Sequence, residues 1–376
     1  MGRKEIAFTK QCALATKDWD TFQIIIRKCL SPGKPKPKTT SSKTPIKTIG
    51  LVALLLLIQI LPFVPYPVSA AATDLTPSSP EKTAIVVASF GTTVPQALSS
   101  ITNIVNKIKA AFPQTEVRLT FTSNIIRSIW KERRQDSEEW LQKGIPREIL
   151  EVKNIISTIG DLREDGYETI IVQPTHMFFM EQSHDLQQYV SALGSIRTLK
   201  ERWRPFKKIV MGRPALGMPG DRHSYHDDIR AVAKTLIGDA QKAKEQGAVL
   251  VYMGHGNEHW STGIYGETQK IMRSMYPEIK TYIGVVEGMP SFHDVIADLG
   301  QADASKVMLK PFMIVAGDHA VNDMAGPDAD SWKSRLTAAG YEVNPVLEGL
   351  GSNDDFAQIF IDHIRDVAAD SDIKLK

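Results

Sequence analysis

Thr83-Ala84-Ile85-Val86-Val87-Ala88-Ser89-Phe90-Gly91-Thr92, matched further on by Ala248-Val249-Leu250-Val251-Tyr252-Met253-Gly254-His255-Gly256, decides the fold. Each stretch is a short apolar run stopped by glycine, the pattern of a strand buried on both faces of a parallel sheet. Around them, apolar runs alternate with amphipathic helical stretches, which predicts an α/β chain with helices on both faces of its sheets. In the first half the expected strands are 83–90, 116–122, 169–174 and 208–213, with helices over 95–112 and 145–164. The second half repeats the order, with strands at 248–253, 281–286, 306–311 and 343–347 and helices over 265–275, 292–299 and 354–369. ASFGT (88–92) falls where YMGHG (252–256) falls, and IIVQP (170–174) where VMLKP (307–311) falls. The first half holds more chain between these anchors, most of it assigned to the long helical region. Such a duplication predicts two similar open parallel sheets facing each other across a cleft. The lobes are expected at 80–245 and 246–376, with the last helix packing back on the first lobe as an open alternative. Ligands of open α/β sheets sit beyond the carboxyl ends of the strands, so the chemistry is sought just after each strand.

The 376 residues are 42% hydrophobic and 23% charged, as in globular proteins, with a net charge of +2. That charge averages two unlike pieces. Residues 1–49 hold 11 Lys/Arg against Glu5, Asp18 and Asp20, a net +8, so the rest of the chain carries −6. A mildly acidic body argues against a nucleic-acid partner, because phosphate binding needs clustered positive charge. The basic segment runs into residues 51–64 (LVALLLLIQILPFV), then Pro65, Pro67 and the small-residue string 68–72 (VSAAA). A positive n-region, a short apolar core and an A-x-A-like end predict that residues 1–72 are a signal peptide. The mature chain is then expected in the periplasm, beginning between Ala71 and Thr73, with no stable membrane span. Both cysteines, Cys12 and Cys29, lie in this leader, so thiolate ligands and disulfides are not expected in the mature body.

Two segments of the second half stand out, Tyr252-Met253-Gly254-His255-Gly256-Asn257-Glu258-His259 and Val315-Ala316-Gly317-Asp318-His319-Ala320. Glycines beside His255 and before His319 leave both imidazoles uncrowded, and imidazole suits Co²⁺, Fe²⁺, Ni²⁺ and Zn²⁺ alike. Spacing alone leaves a packed structural histidine as an equal alternative. With Pro174 and Pro311 taken as equivalent, Glu181 falls within one position of His319, on the facing lobe. A carboxylate there can ligate a metal or accept a proton, its alternative being a solvated charge at a helix start. Ser89, Phe90 and Gly91 read as a small-residue wall of the cleft, without the lysine of a phosphate loop. His176 reads as a packed strand-end histidine lining the cleft, and Glu287, at a strand end, as a contact to ligand substituents. His184 has no role assigned from the residues, although an exposed histidine can take a haem iron axially. His223 and His226 read as surface histidines, and no nucleophile elbow is present.

ASFGT (88–92), YMGHG (252–256), LKPFMIVAGDHAVNDMAG (309–326) and DSWK (330–333) resemble the anaerobic sirohydrochlorin cobaltochelatases, class II tetrapyrrole chelatases, over about 83–369. The resemblance implies two Rossmann-like, chelatase-type lobes related by an internal pseudo-twofold. It implies Co²⁺ as substrate metal, Fe²⁺ taking the same ligands, and a tetrapyrrole substrate. His255 and His319 fall on the family's two metal-binding histidines. The family's acidic ligand lies in a Gly-Asp/Glu-Glu string, which here reads Met180-Glu181-Gln182, so Glu181 keeps one acid and Gln182 replaces the next. His255 and Glu181 are then the proton acceptors, and His255, His319 and Glu181 the metal ligands. Some exported members are tetrameric and bind haem at a subunit interface, which implies a homo-oligomer and gives His184 a haem to meet. An exported haem- or metal-binding protein that no longer inserts metal is the rival reading.

Overall fold

The computed structural model describes residues 82–376. The leader, its cysteines and its cleavage point lie outside the described residues. Eight strands form two four-stranded sheets. They are β1 (Thr83–Ser89), β2 (Glu116–Phe121), β3 (Thr169–Pro174), β4 (Lys208–Met211), β5 (Val249–Gly256), β6 (Thr281–Glu287), β7 (Lys306–Pro311) and β8 (Glu342–Pro345). The sheet orders are β2-β1-β3-β4 and β6-β5-β7-β8, and every pairing is parallel. The second sheet is thus the first one repeated, as the matched strings predict.

The helices are α1 (Leu98–Ala111), α2 (Asn124–Arg133), α3 (Ser137–Gln142), α4 (Arg147–Leu150), α5 (Ile155–Glu164), α6 (Glu181–Gly194), α7 (Tyr225–Thr235), α8 (Ile237–Glu245), α9 (Gly263–Met275), α10 (Phe292–Leu299), α11 (Trp332–Ala338) and α12 (Asp354–Asp370). Strand alternation explains why they cover both faces of the sheets. Ile85 and Val87 of β1 turn toward α1, whose Leu98, Ile101, Ile104, Val105 and Ile108 recur at helical spacing. Ala84, Val86 and Ala88 turn the other way, onto Ile155, Ile159 and Leu162 of α5. In the second sheet Val249, Val251 and Met253 pack on Phe292, Val295 and Trp332.

Two expectations need correcting. The single helix expected over 145–164 is α4 and α5, separated by a break in which Lys153 pairs with Thr120 beside β2. The extra chain of the first half also holds α2 and α3, whose start is marked by Ser123, its hydroxyl accepting from the Ile126 amide. The strand expected at 248–253 runs on through His255, because Gly254 pairs with Val285 and Gly256 with Glu287.

The last helix, α12, follows β8 yet packs on α1, β3 and α7 of the first half. Asn353 caps it by accepting from the Asp355 and Phe356 amides, and Phe356, Phe360, Ile361 and Ile364 are buried. A buried polar cluster pins it there. Arg213 donates to both Asp228 oxygens at 2.7 and 2.9 Å and to Asp366 at 2.9 Å. His363 lies with one ring nitrogen 3.2 Å from Asp228 and the other 3.0 Å from the Arg213 carbonyl. Burial works to raise the Asp228 carboxyl, but His363 and Arg213 outweigh it and hold the group below its ordinary value. Asp228→Asn should therefore cost about 3–5 kcal/mol of stability at neutral pH, since it leaves Arg213 buried and under-paired. A depressed carboxylate stabilises the fold above its unfolded value near 3.8 and loses that contribution as pH falls through its folded value. Urea denaturation should accordingly show the gap between wild type and D228N closing below that pH, and a gap independent of pH would contradict the assignment.

Candidate active site

A cavity of about 660 Å³ opens at the carboxyl ends of both sheets, and the segments following β1, β3, β5, β6 and β7 all contribute to its wall. That volume is ordinary for a small-molecule site. Ser89, Phe90, Gly91, His176, Glu181, His255, Glu287 and His319 all line it, so the residues singled out in the sequence meet in one place. His184 is not among the lining residues. It stands half exposed, its ring 5.5 Å from that of Trp260. His223 pairs with Asp370 at 2.9 Å and His226 faces Glu267 at 3.6 Å, both away from the cavity.

His255 and His319 come from the ends of β5 and β7's following loop, and their ring centroids lie 4.6 Å apart at 87°. Each turns Nδ1 toward an acceptor. His255 Nδ1 meets the Gly256 carbonyl at 3.1 Å, with Glu287 Oε2 3.8 Å away. His319 Nδ1 meets Asp323 Oδ2 at 2.5 Å, one π-helical turn on. With Nδ1–H donating in both, the Nε2 lone pairs are left for a ligand, the arrangement that orients metal-binding histidines. Among the described residues no three His, Cys, Asp or Glu side chains already converge as a metal-holding group. The arrangement is a two-imidazole face with carboxylates beside it.

Backbone geometry places one of those carboxylates. Gly256 has φ +79°, and a Cβ on it would fall 1.7 Å from the Glu287 carbonyl oxygen, so only glycine lets β5 and β6 close up beside His255. Glu181 begins α6 on the facing lobe, where Asn257 Nδ2 lies 3.5 Å from its Oε2. Gly91, at φ +94°, turns the chain after β1 so that half-exposed Phe90 fronts the cavity, whereas the Ser89 hydroxyl is buried beneath it and accepts from the Gly91 amide.

Sequence reading assigned no role to several residues of the wall. Ile125, Ile126 and Ile129 of α2 form an apolar flank, signalled only by their helical spacing after Ser123. Glu258 and Asp318 bring the acids on the wall to four, with Glu181 and Glu287, and no Lys or Arg lines the cavity among the described residues. His259 also lines it, its amide donating to Asn257 Oδ1 at 2.9 Å.

The sequence pattern of the cobalt chelatase (CbiK) family matches residues 83–369, from β1 to the end of the last helix. The chain belongs to that family. It is 28% identical over 286 residues to the sirohydrochlorin cobaltochelatase of Salmonella typhimurium, spanning 75% of this chain and 95% of that one. It is 27% identical over 283 residues to sirohydrochlorin cobaltochelatase CbiKC of Nitratidesulfovibrio vulgaris, spanning 75% of this chain and 89% of that one. Among solved structures, SirB from Bacillus subtilis with Fe3+ superposes with a TM-score of 0.51 at 15% identity, over 77% of this chain and 97% of that one. The sirohydrochlorin chelatase SirB in complex with cobalt gives 0.50 at 13%, with the same coverage. These two likenesses establish the shared chelatase-type fold.

His176 also lines the cavity of this chelatase. It is buried on the cavity wall, its Nδ1 is 2.8 Å from Ser183 Oγ, and its Nε2 has no partner among the described residues. Burial pushes its pKa down to about 4. A histidine neutral in the fold but chargeable in the unfolded chain stabilises most above its unfolded value near 6.5. That contribution fades as pH falls toward 4, by about 3 kcal/mol in all. His176→Gln should flatten the fall in stability between those two pH values. Denaturant midpoints measured across the range check it, and an unchanged slope would show that His176 is already solvated.

Proposed function

We propose that this chain inserts Co²⁺ into sirohydrochlorin, with His255 and His319 presenting the ion through Nε2. The observation that carries the reading is the pair of neighbouring imidazoles lining one cavity, each with Nδ1 against an acceptor, which leaves Nε2 for a ligand. Family membership and the two named relatives support the reaction and the substrate.

Insertion replaces two pyrrole N–H bonds with bonds to Co²⁺ and releases two protons. Neutral imidazoles suit an ion that must be handed on, because they bind first-row dications without adding charge that would trap them. Once Co²⁺ passes to the ring, the His255 Nε2 lone pair is free to take one pyrrole proton. Glu181 and Glu287 supply further oxygen donors and a second proton acceptor on either side of the ring. The apolar flank of Ile125, Ile126, Ile129 and Phe90 suits the flat face of a macrocycle. A cavity with four acids and, among the described residues, no Lys or Arg draws in the dication and directs the substrate's carboxylates outward to the rim and solvent.

We further take residues 1–72 as a leader that sends the mature enzyme to the periplasm as a homo-oligomer. The basic n-region and apolar run support the export, and His184 beside Trp260 would be the haem-facing histidine of that assembly.

Adding Co²⁺ and sirohydrochlorin to the purified protein and following the absorbance change tests the reading. His255→Ala and His319→Ala should each slow insertion about a hundredfold or more, with the unfolding midpoint nearly unchanged, since both side chains are about 40% exposed. Glu181→Gln and Glu287→Gln should slow it about tenfold or more. Gln182→Ala should matter little. Near-normal rates in both histidine variants would overturn the mechanism.

A further inference from the structure

Residues 195–207 (SIRTLKERWRPFK) join α6 to β4 and hold five Lys/Arg against one acid, Glu201, in a body that is otherwise acidic. They also hold apolar side chains that the fold does not cover. Leu199 is fully exposed, Trp203 is 65% exposed and Ile196 40%. The stretch is built, not loose. Thr198 Oγ1 donates to the Lys200 carbonyl at 2.7 Å, a 3₁₀ turn spans Glu201–Trp203, and Arg204 N–H closes it on the Glu201 carbonyl. Phe206 then anchors the segment in the core beside Val190 and Leu186. The turn therefore presents Leu199 and Trp203 to solvent with Arg197, Lys200 and Arg202 exposed among them.

The register shows where this lies. Lys208 of β4 pairs with Thr169, the first residue of β3, which pairs with Thr83, the first of β1. The segment is thus at the amino ends of the strands, about 20 Å of strand length from the cavity at their carboxyl ends. A partner docked here leaves the cavity open.

We propose that this segment is a docking surface for an anionic lipid bilayer. Tryptophan settles at the level of lipid headgroups, leucine and isoleucine reach the acyl boundary, and Lys and Arg stems lie along it with their charges among phosphates. Each basic residue near such a surface raises the partition constant about fivefold. Among the described residues no helix is long and apolar enough to cross a membrane, so the contact is peripheral. Nucleic acid fits less well, because the bases would have to stack on a single exposed indole and leave Leu199 and Ile196 in water.

The test uses the whole chain with vesicles of about 30% phosphatidylglycerol in phosphatidylcholine, set against phosphatidylcholine alone. The wild type should sediment with the anionic vesicles and be released by salt. Lipids brominated on the acyl chain should quench part of its tryptophan fluorescence, and Trp203→Phe should remove that part while leaving binding largely intact. This readout is local to the segment, so membrane affinity elsewhere in the chain does not mimic it. Leu199→Ser with Arg202→Glu should lower the partition at least tenfold, with Co²⁺ insertion in the absence of vesicles unchanged. Equal quenching in wild type and Trp203→Phe would overturn the proposal. So would a partition unmoved by the double variant, or a double variant that changes only the oligomeric state, which would make the patch a contact between copies.

Discussion

Gly256 lies with its backbone against the Glu287 carbonyl, at a φ of +79° that a side chain would strain and at a distance that a Cβ would fill. The pairing it permits carries β5 and β6 two residues beyond the core of the sheet. His255 precedes that glycine and Glu287 supplies the carbonyl, so one backbone contact sets the imidazole and a carboxylate side by side at the strand ends. The same carbonyl accepts the Asn257 amide, and the Asn257 side chain reaches Glu181 on the other lobe. Ionisable groups of the cavity from both halves are therefore referred to a single fixed point.

Position alone would not make these groups chemically useful. An imidazole presents either nitrogen to a ligand, and the acceptor at the other nitrogen selects which. His255 uses a backbone carbonyl for this and His319 a carboxylate one turn ahead, so the two tautomers are fixed by independent means. Asp323 belongs to the π-helical turn that begins just after His319. Such turns widen the helix by a residue, and they recur at functional sites because the widening redirects a side chain. Asp323, four residues on from His319, meets its ring as an i,i+4 neighbour on that turn.

The fold was legible because burial on both faces leaves apolar runs that need no tertiary knowledge to find, and because the runs occur twice. His255 and His319 stood out for a related reason: each follows a strand of the repeat with a glycine close before it, although spacing alone left a packed histidine as an equal alternative. What stayed hidden depended on contacts across long separations. The break at Lys153 follows from its pairing with Thr120, and the course of β5 through His255 from its pairing with β6, neither of which is written in local periodicity. Arg213, Asp228 and His363 lie far apart in the chain, so nothing in the sequence marks them as one buried cluster. Glu287 was found as a residue of the cleft, but its nearness to His255 appears only in the register of two strands.

Charge is distributed along the axis of the strands in a way that suits the proposed reaction. At the carboxyl ends the cavity wall carries four acids and no Lys or Arg among the described residues. Such a site favours a dication but resists a polyanionic ring unless the ring's carboxylates stay in water while its apolar face enters. The apolar flank from α2 provides that face with a surface, and it belongs to the longer first-half connection, where α2 to α5 lie between β2 and β3 while the second half has α10 alone between β6 and β7. The duplication therefore explains the cleft, whereas its asymmetry sets what lines it: the second half supplies the paired imidazoles of His255 and His319, and the first the added apolar helix α2.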